Sequence, residues 1–263
     1  MTPLASLRVE LQNGLAIVNF AQPARGNPID GDFARDFKQV VGQLWDTPGL
    51  RGVLLRADGD NFSFGGDLKS FFPVREQLAP LVRAWTADLH MGLQRLWALP
   101  APVVVAVQGF AMGGAAALLA GGDVVLAGAS AKIGSAFAKI GFSCDSGSSV
   151  TLTARMGAAR AKRFVLLGEV LKAPEALQAG LVDWVAPDAD LQADALAQAQ
   201  ELAAGPTVAF GEIKRLFLKA GSAFAQAQLE DEAHTLARVS QSADAKEGIA
   251  AMAEKRKPVF LGR

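Results

Sequence analysis

Cysteine occurs once in 263 residues, at Cys144. An internal disulfide is therefore excluded, no cysteine-based metal cluster is available, and the chain fits a reducing compartment. Histidine is nearly as scarce, with His90 and His234 far apart in sequence. Net charge is also missing. The 26 Lys and Arg residues balance 26 Asp and Glu, which argues against a protein that wraps a polyanion and leaves no reason to expect nucleic acid as a partner. No apolar run reaches membrane-spanning length, because Asp123 and glycines interrupt the longest one. The N-terminal MTPLASLRVE lacks a basic segment followed by an apolar run. The expected location is the cytoplasm, without membrane contact and without a resident metal. What the chain does have is a hydrophobic fraction of 51%, enough at this length for a large core.

That apolar content is patterned. Leu7 to Gln12 and Leu15 to Phe20 alternate as two strands around Asn13-Gly14, a strong hairpin signal. A helix is predicted from Asp30 or Asp32 to about Trp45, with Phe33, Phe37, Val40, Val41 and Leu44 on one side. A strand at Gly52 to Arg56, a glycine-rich loop at Asp58 to Asp67 and a helix over about Leu78 to Leu99 follow. The β-branched run Val103 to Val107 reads as a buried strand. It turns at Gly109, reaches Gly113-Gly114 and enters a helix of small residues, Ala115 to Ala120. Short strands are expected at Asp123 to Leu126, Lys132 to Ser135 and Val182 to Val185, with helices at about Ser146 to Met156, Ala158 to Leu167 and Pro174 to Ala179. From Leu191 the pattern is helical, broken at Gly205-Pro206, near Gly221 and around Ser240 to Ser242. The class is α/β with a helical C-terminal part.

Backbone N–H groups in the first turn of a helix lack intrahelical partners, so Gly114 can present a bare donor to an anionic oxygen. A second glycine loop, FSFGGD at Phe62 to Asp67, also follows a buried strand. Taken with GFAMGGAA at Gly109 to Ala116, PARGNPID in the first loop, GGDVVLAGASAKIG after the central helix and the terminal KRKPVF, the chain resembles the enoyl-CoA hydratase/isomerase, or crotonase, superfamily over nearly its whole length. The resemblance implies a spiral of ββα repeats for residues 1–200, which would carry an acyl-CoA site. It implies a helical region over 201–263 that builds trimers or dimers of trimers. By position, Gly66 and Gly114 would donate their N–H groups to the thioester carbonyl of an acyl-CoA and stabilise the enolate that forms there. Coenzyme A is then part of the substrate and no separate cofactor is implied.

Family members that hydrate a double bond carry two glutamates, and their positions here are Ala117 and Phe137. Neither side chain moves a proton, so ordinary hydratase chemistry is not expected. The remaining acid is Asp145 in CDSGSS, in a stretch similar to the DSG loop of isomerase-like relatives, including epoxyphenylacetyl-CoA isomerases. The usual preceding proline is Cys144 here. One carboxylate suffices for a 1,3-proton shift, and an apolar pocket around Phe64 and Phe137 would raise its affinity for the proton. Asp145 before Ser146-Gly147 can also be read as a helix cap.

Two other readings stay open. A dehalogenase branch of the family pairs an aspartate nucleophile with a histidine in the preceding long helix, which here would be Asp145 and His90, giving hydrolytic thioester chemistry. A non-catalytic acyl-CoA-binding protein would also lack both hydratase glutamates. The resemblance further implies substrate contacts from Arg25, near the CoA phosphates, from Phe64, Ala117 and Phe137 around the acyl group, and from Lys257 and Phe260 in a terminal segment that closes over CoA. Surface or packing roles account equally for Arg25, Lys257 and Phe260.

Overall fold

The structure is a computed structural model that describes residues 4–221 and 225–259; Phe260 lies outside them. β1 (Leu7–Gln12) and β2 (Leu15–Phe20) form the expected antiparallel hairpin. α1 (Gly31–Trp45) starts at Asp30, whose Oδ1 accepts a hydrogen bond from the Phe33 N–H, and it buries the predicted apolar side. β3 (Gly52–Ala57), α2 (Leu68–Val74) and α3 (Leu78–Ala98) complete the next turn of chain. Then come β4 (Val103–Val107), β5 (Phe110–Met112), α4 (Gly114–Ala120), β6 (Val124–Gly128), β7 (Lys132–Gly134), α5 (Ser148–Met156), α6 (Ala158–Leu166), β8 (Val170–Lys172), α7 (Ala173–Gln178) and β9 (Trp184–Ala186). Four helices follow: α8 (Leu191–Ala204), α9 (Thr207–Gly221), α10 (Ala225–Val239) and α11 (Ala243–Ala253).

The strands divide between two sheets. One has the order β1-β2-β3-β4-β6-β9 and is parallel beyond the initial hairpin; the other has the order β5-β7-β8. Each turn lays a long strand in the first sheet and then a short segment beside or within the second: β4 then β5, and β6 then β7. After β3, Ser63 plays the short segment's part through a parallel bridge to Ala111. This is the expected α/β spiral. The central strands are buried on both faces, which is why Val103–Val107 reads as an unbroken apolar run rather than an alternating one. Phe20, Phe33, Phe37, Leu93 and Val105 belong to the core on one side, while Leu191, Ala195 and Ala199 of α8 cover Ile17, Leu54 and Val104 on the other.

Several elements differ from expectation. α2 was not foreseen; it begins on Asp67, which accepts hydrogen bonds from the Lys69 and Ser70 N–H groups, and it carries Pro73 in its last turn. β5 and β8 are three residues each, too short for periodicity to show. The last strand starts at Trp184 rather than Val182. α8 packs against the first sheet, with its buried residues running from Leu191 to Ala203.

The N-terminal strand is tied to α1 by one carboxylate. Asp36, 2% exposed, accepts hydrogen bonds at Oδ2 from the Ala5 and Ser6 N–H groups and from Ser6 Oγ at 2.7, 2.8 and 2.9 Å. Asp36→Ala strands these donors and should destabilise the fold by about 2–3 kcal/mol, read as a lower denaturant midpoint with an unchanged slope.

Candidate active site

Two glycine loops are held together by backbone alone. The Ser63 N–H donates to the Phe110 carbonyl and the Met112 N–H to the Ser63 carbonyl, at 2.9 and 3.0 Å. Gly65, at φ +79, lies so close that an added Cβ would stand 2.5 Å from the Met112 carbonyl oxygen. Only glycine permits this approach. The Ile29 N–H donates to the Gly65 carbonyl from the first loop at 2.8 Å, fixing a third segment beside them. Among the described residues the Gly66 and Gly114 N–H groups have no hydrogen-bond acceptor, and both residues line the same cavity of about 100 Å³.

The cavity wall is mainly apolar. Phe64 is half exposed and stacks on Phe110 at 5.5 Å, whereas Phe71, Phe137, Phe142 and Leu236 are buried. Trp85 stacks on Phe71 at 5.6 Å. Two carboxylates reach the wall, Asp30 and Asp145. Asp30 is already committed to the start of α1 and to the Arg25 guanidinium, 2.7 Å away. Asp145 is not so engaged: one oxygen accepts a hydrogen bond from Ser146 Oγ at 3.0 Å. Burial, and next the negative charge of Glu232, push its pKa up from 3.8 to about 7.

The structure also decides between capping and freedom for Asp145. Its backbone carbonyl, not its carboxylate, accepts from the Ser148 N–H and Oγ. The neighbouring donors at the start of α5 go to Glu232 of α10, which takes the Gly147 N–H at Oε2 and the Ser149 N–H and Oγ at Oε1, at 2.7, 2.9 and 2.6 Å. Ser146 joins the two halves of the site. It sits at φ +58, unusual for a side-chain-bearing residue, and its Oγ lies 2.5 Å from where a Cβ on Gly114 would be.

Of the residues singled out in the sequence, the cavity gathers Phe64, Gly66, Gly114, Phe137 and Asp145. It does not gather His90, Ala117, Arg25 or Lys257. His90 is 4% exposed on α3 with its Nε2 unpartnered, and burial lowers its pKa from 6.5 to about 4 against a hydrogen bond to the Leu229 backbone. Ala117 is fully buried, its carbonyl accepting from Thr151 Oγ1. Arg25 bridges Asp30 and Asp67, and Lys257 is exposed beyond α11. Burial pushes the Cys144 thiol up to about 12, leaving a poor nucleophile. Sequence reasoning missed Ser146 and Glu232. The signal for Glu232 was its spacing with Leu229, Ala233 and Leu236, which places it on the buried side of α10.

A spiral of this topology, with two bare N–H groups and a free acid around one apolar cavity, has the crotonase fold. A family model described as enoyl-CoA hydratase/isomerase matches residues 10–263. A Rhodobacter capsulatus protein named "Probable enoyl-CoA hydratase" is 33% identical over 258 residues, 98% of each chain. The 1,2-epoxyphenylacetyl-CoA isomerase of Escherichia coli is 32% identical over 261 residues, 96% of this chain and 97% of the other. The crystal structure of an enoyl-CoA hydratase from Mycobacterium avium subsp. paratuberculosis superposes with a TM-score of 0.89 at 29% identity, covering 98% of this chain and all of that one. The chain belongs to the enoyl-CoA hydratase/isomerase family and is an acyl-CoA-thioester enzyme of that family.

Asp145 and His90 act on stability in opposite directions. Between 3.8 and about 7 the folded protein keeps an Asp145 proton that the unfolded chain has lost, so this contribution is complete at low pH and disappears as pH rises. Between about 4 and 6.5 the unfolded chain binds a His90 proton that the folded one refuses, so that contribution is complete at high pH and disappears as pH falls. Asp145→Asn should therefore stabilise the protein at about pH 8 relative to about pH 4, by at most about 4 kcal/mol at roughly 1.4 kcal/mol per tenfold change in proton affinity. Thermal melts across that range check the sign.

Proposed function

We propose that the protein is an enoyl-CoA isomerase. Gly66 and Gly114 hold the thioester oxygen between their N–H groups. Asp145 takes a proton from the carbon activated by that thioester, the donors stabilise the dienolate, and the same carboxyl returns the proton two carbons away. The observation that carries this reading is the shared cavity: two unpartnered N–H groups and one uncommitted carboxylate face the same apolar space. A carboxyl with a pKa near 7 suits a step that must both accept and return a proton at neutral pH. The apolar wall keeps water away from the dienolate.

The similarity to the epoxyphenylacetyl-CoA isomerase supports isomerase chemistry, and the many relatives named hydratases do not argue against it, because Ala117 and Phe137 stand at the two acid positions that hydration uses. A hydrolytic reaction gains no support from His90, whose free nitrogen is enclosed by protein. Cofactors beyond the CoA of the substrate have no part in the proposal. Self-association as a trimer or a dimer of trimers through the helical region after residue 200 is supported by the exposed apolar residues of α9, Val208, Ile213, Leu216 and Phe217. A cytoplasmic setting is part of the same reading; among the described residues no helix is long and apolar enough to cross a membrane.

With 3-enoyl-CoA thioesters, the enzyme should form the conjugated 2-enoyl-CoA, followed by the rise in ultraviolet absorbance. Asp145→Asn should lower kcat by roughly 10²–10⁴-fold. No absorbance change over a panel of acyl lengths overturns the proposal. Gly114→Ala should also abolish turnover, since the new methyl displaces Ser146 as it crowds the thioester oxygen.

A further inference from the structure

We propose that Glu232 is a positioning residue for Asp145: from the C-terminal helical region it clamps the first turn of α5, holds the Asp145–Ser146–Gly147 turn in its working shape and keeps a negative charge behind the reacting carboxyl. The proposal rests on the isomerase reading.

Glu232 is 4% exposed and uses both oxygens, taking three donors from residues 147 and 149. With the Ser148 N–H held by the Asp145 carbonyl, three consecutive N–H groups at the start of α5 are satisfied without the Asp145 side chain. That leaves the Asp145 carboxyl with Ser146 Oγ and its own backbone N–H as partners, at the wall of the cavity. The left-handed backbone of Ser146 is the kind of conformation that persists only when its surroundings hold it, and the clamp fastens the very next residue.

The charge follows from the same contacts. Burial raises the Glu232 pKa while its three donors act against that rise, and its negative charge in turn raises the pKa of Asp145. The other titratable groups around the pair are Cys144 on the same loop, held as a thiol, Asp231 on α10, and His90 on α3, held neutral by burial. Asp30 lies across the cavity, paired with Arg25. α4, which also faces the site, has no titratable side chain.

The test uses full-length Glu232→Gln and Glu232→Asp with 3-enoyl-CoA, read as kcat and KM against pH. Glu232→Gln removes the charge, so the rise of kcat with pH should move to lower pH by about one unit. Its plateau should fall by about threefold, and by no more than about tenfold, as the weaker base abstracts the proton less well, with KM changed less than kcat. Glu232→Asp keeps the charge and should keep the wild-type profile position. A Glu232→Gln profile that superposes on wild type, or a loss confined to protein yield, overturns the proposal. Wild-type turnover and its loss in Asp145→Asn are read first, so a failed isomerase reading is recognised separately. The clamp is then judged by thermal melts. The Asp145-linked loss of stability towards pH 7 should move to lower pH in Glu232→Gln, and a limb that stays in place overturns the proposal without any reference to turnover.

Discussion

The structure depends on two loops whose backbones touch with nothing between them. Ser63 pairs with β5 as if it were a strand, Gly65 rests against the Met112 carbonyl, and these contacts set Gly66 beside Gly114. Side chains would hold the loops apart. Because hydrogen-bonded backbone is less deformable than side-chain packing, the two donors are fixed by the same ladder that joins the sheets, before any ligand arrives. Such preorganisation is what makes N–H donors effective against charge that appears only during reaction.

Electrostatics in the site run counter to the fold. A half-buried carboxyl in an apolar wall beside a buried carboxylate opposes compactness at neutral pH, and each acid has a different set of donors. Glu232 is saturated and serves as structure. Asp145 accepts fewer hydrogen bonds and lines the cavity. The asymmetry separates two chemically similar groups into different roles, the pattern expected where acid and base chemistry is tuned by environment.

Much of this was legible in the residues. Strands appeared where β-branched runs met turn signals, and the bounds of β1, β2 and β4 match the pattern because hairpin and strand chemistry are local. The two glycine loops that meet at the cavity were legible for the same reason: each is a short motif after a strand. What escaped was either too short, as in β5 and β8, or decided at long range. Asp145 looked able to cap α5 because the local pattern favours it, but the capping carboxylate comes from 83 to 85 residues further along the chain. His90 shows the converse. A residue type that suggests chemistry is enclosed where α3 meets α10, a fact no spacing within α3 reveals.

That distant carboxylate has a bearing on biosynthesis. A chain made from its N-terminus acquires the glycine loops, the Asp145 turn and the whole strand spiral before α10 exists. Leu236, which closes part of the cavity wall, and Glu232, which fastens α5, are added together on one late helix. The glycine loops therefore precede α10 in synthesis, and the turn that carries Asp145 is fastened only once that late helix has docked.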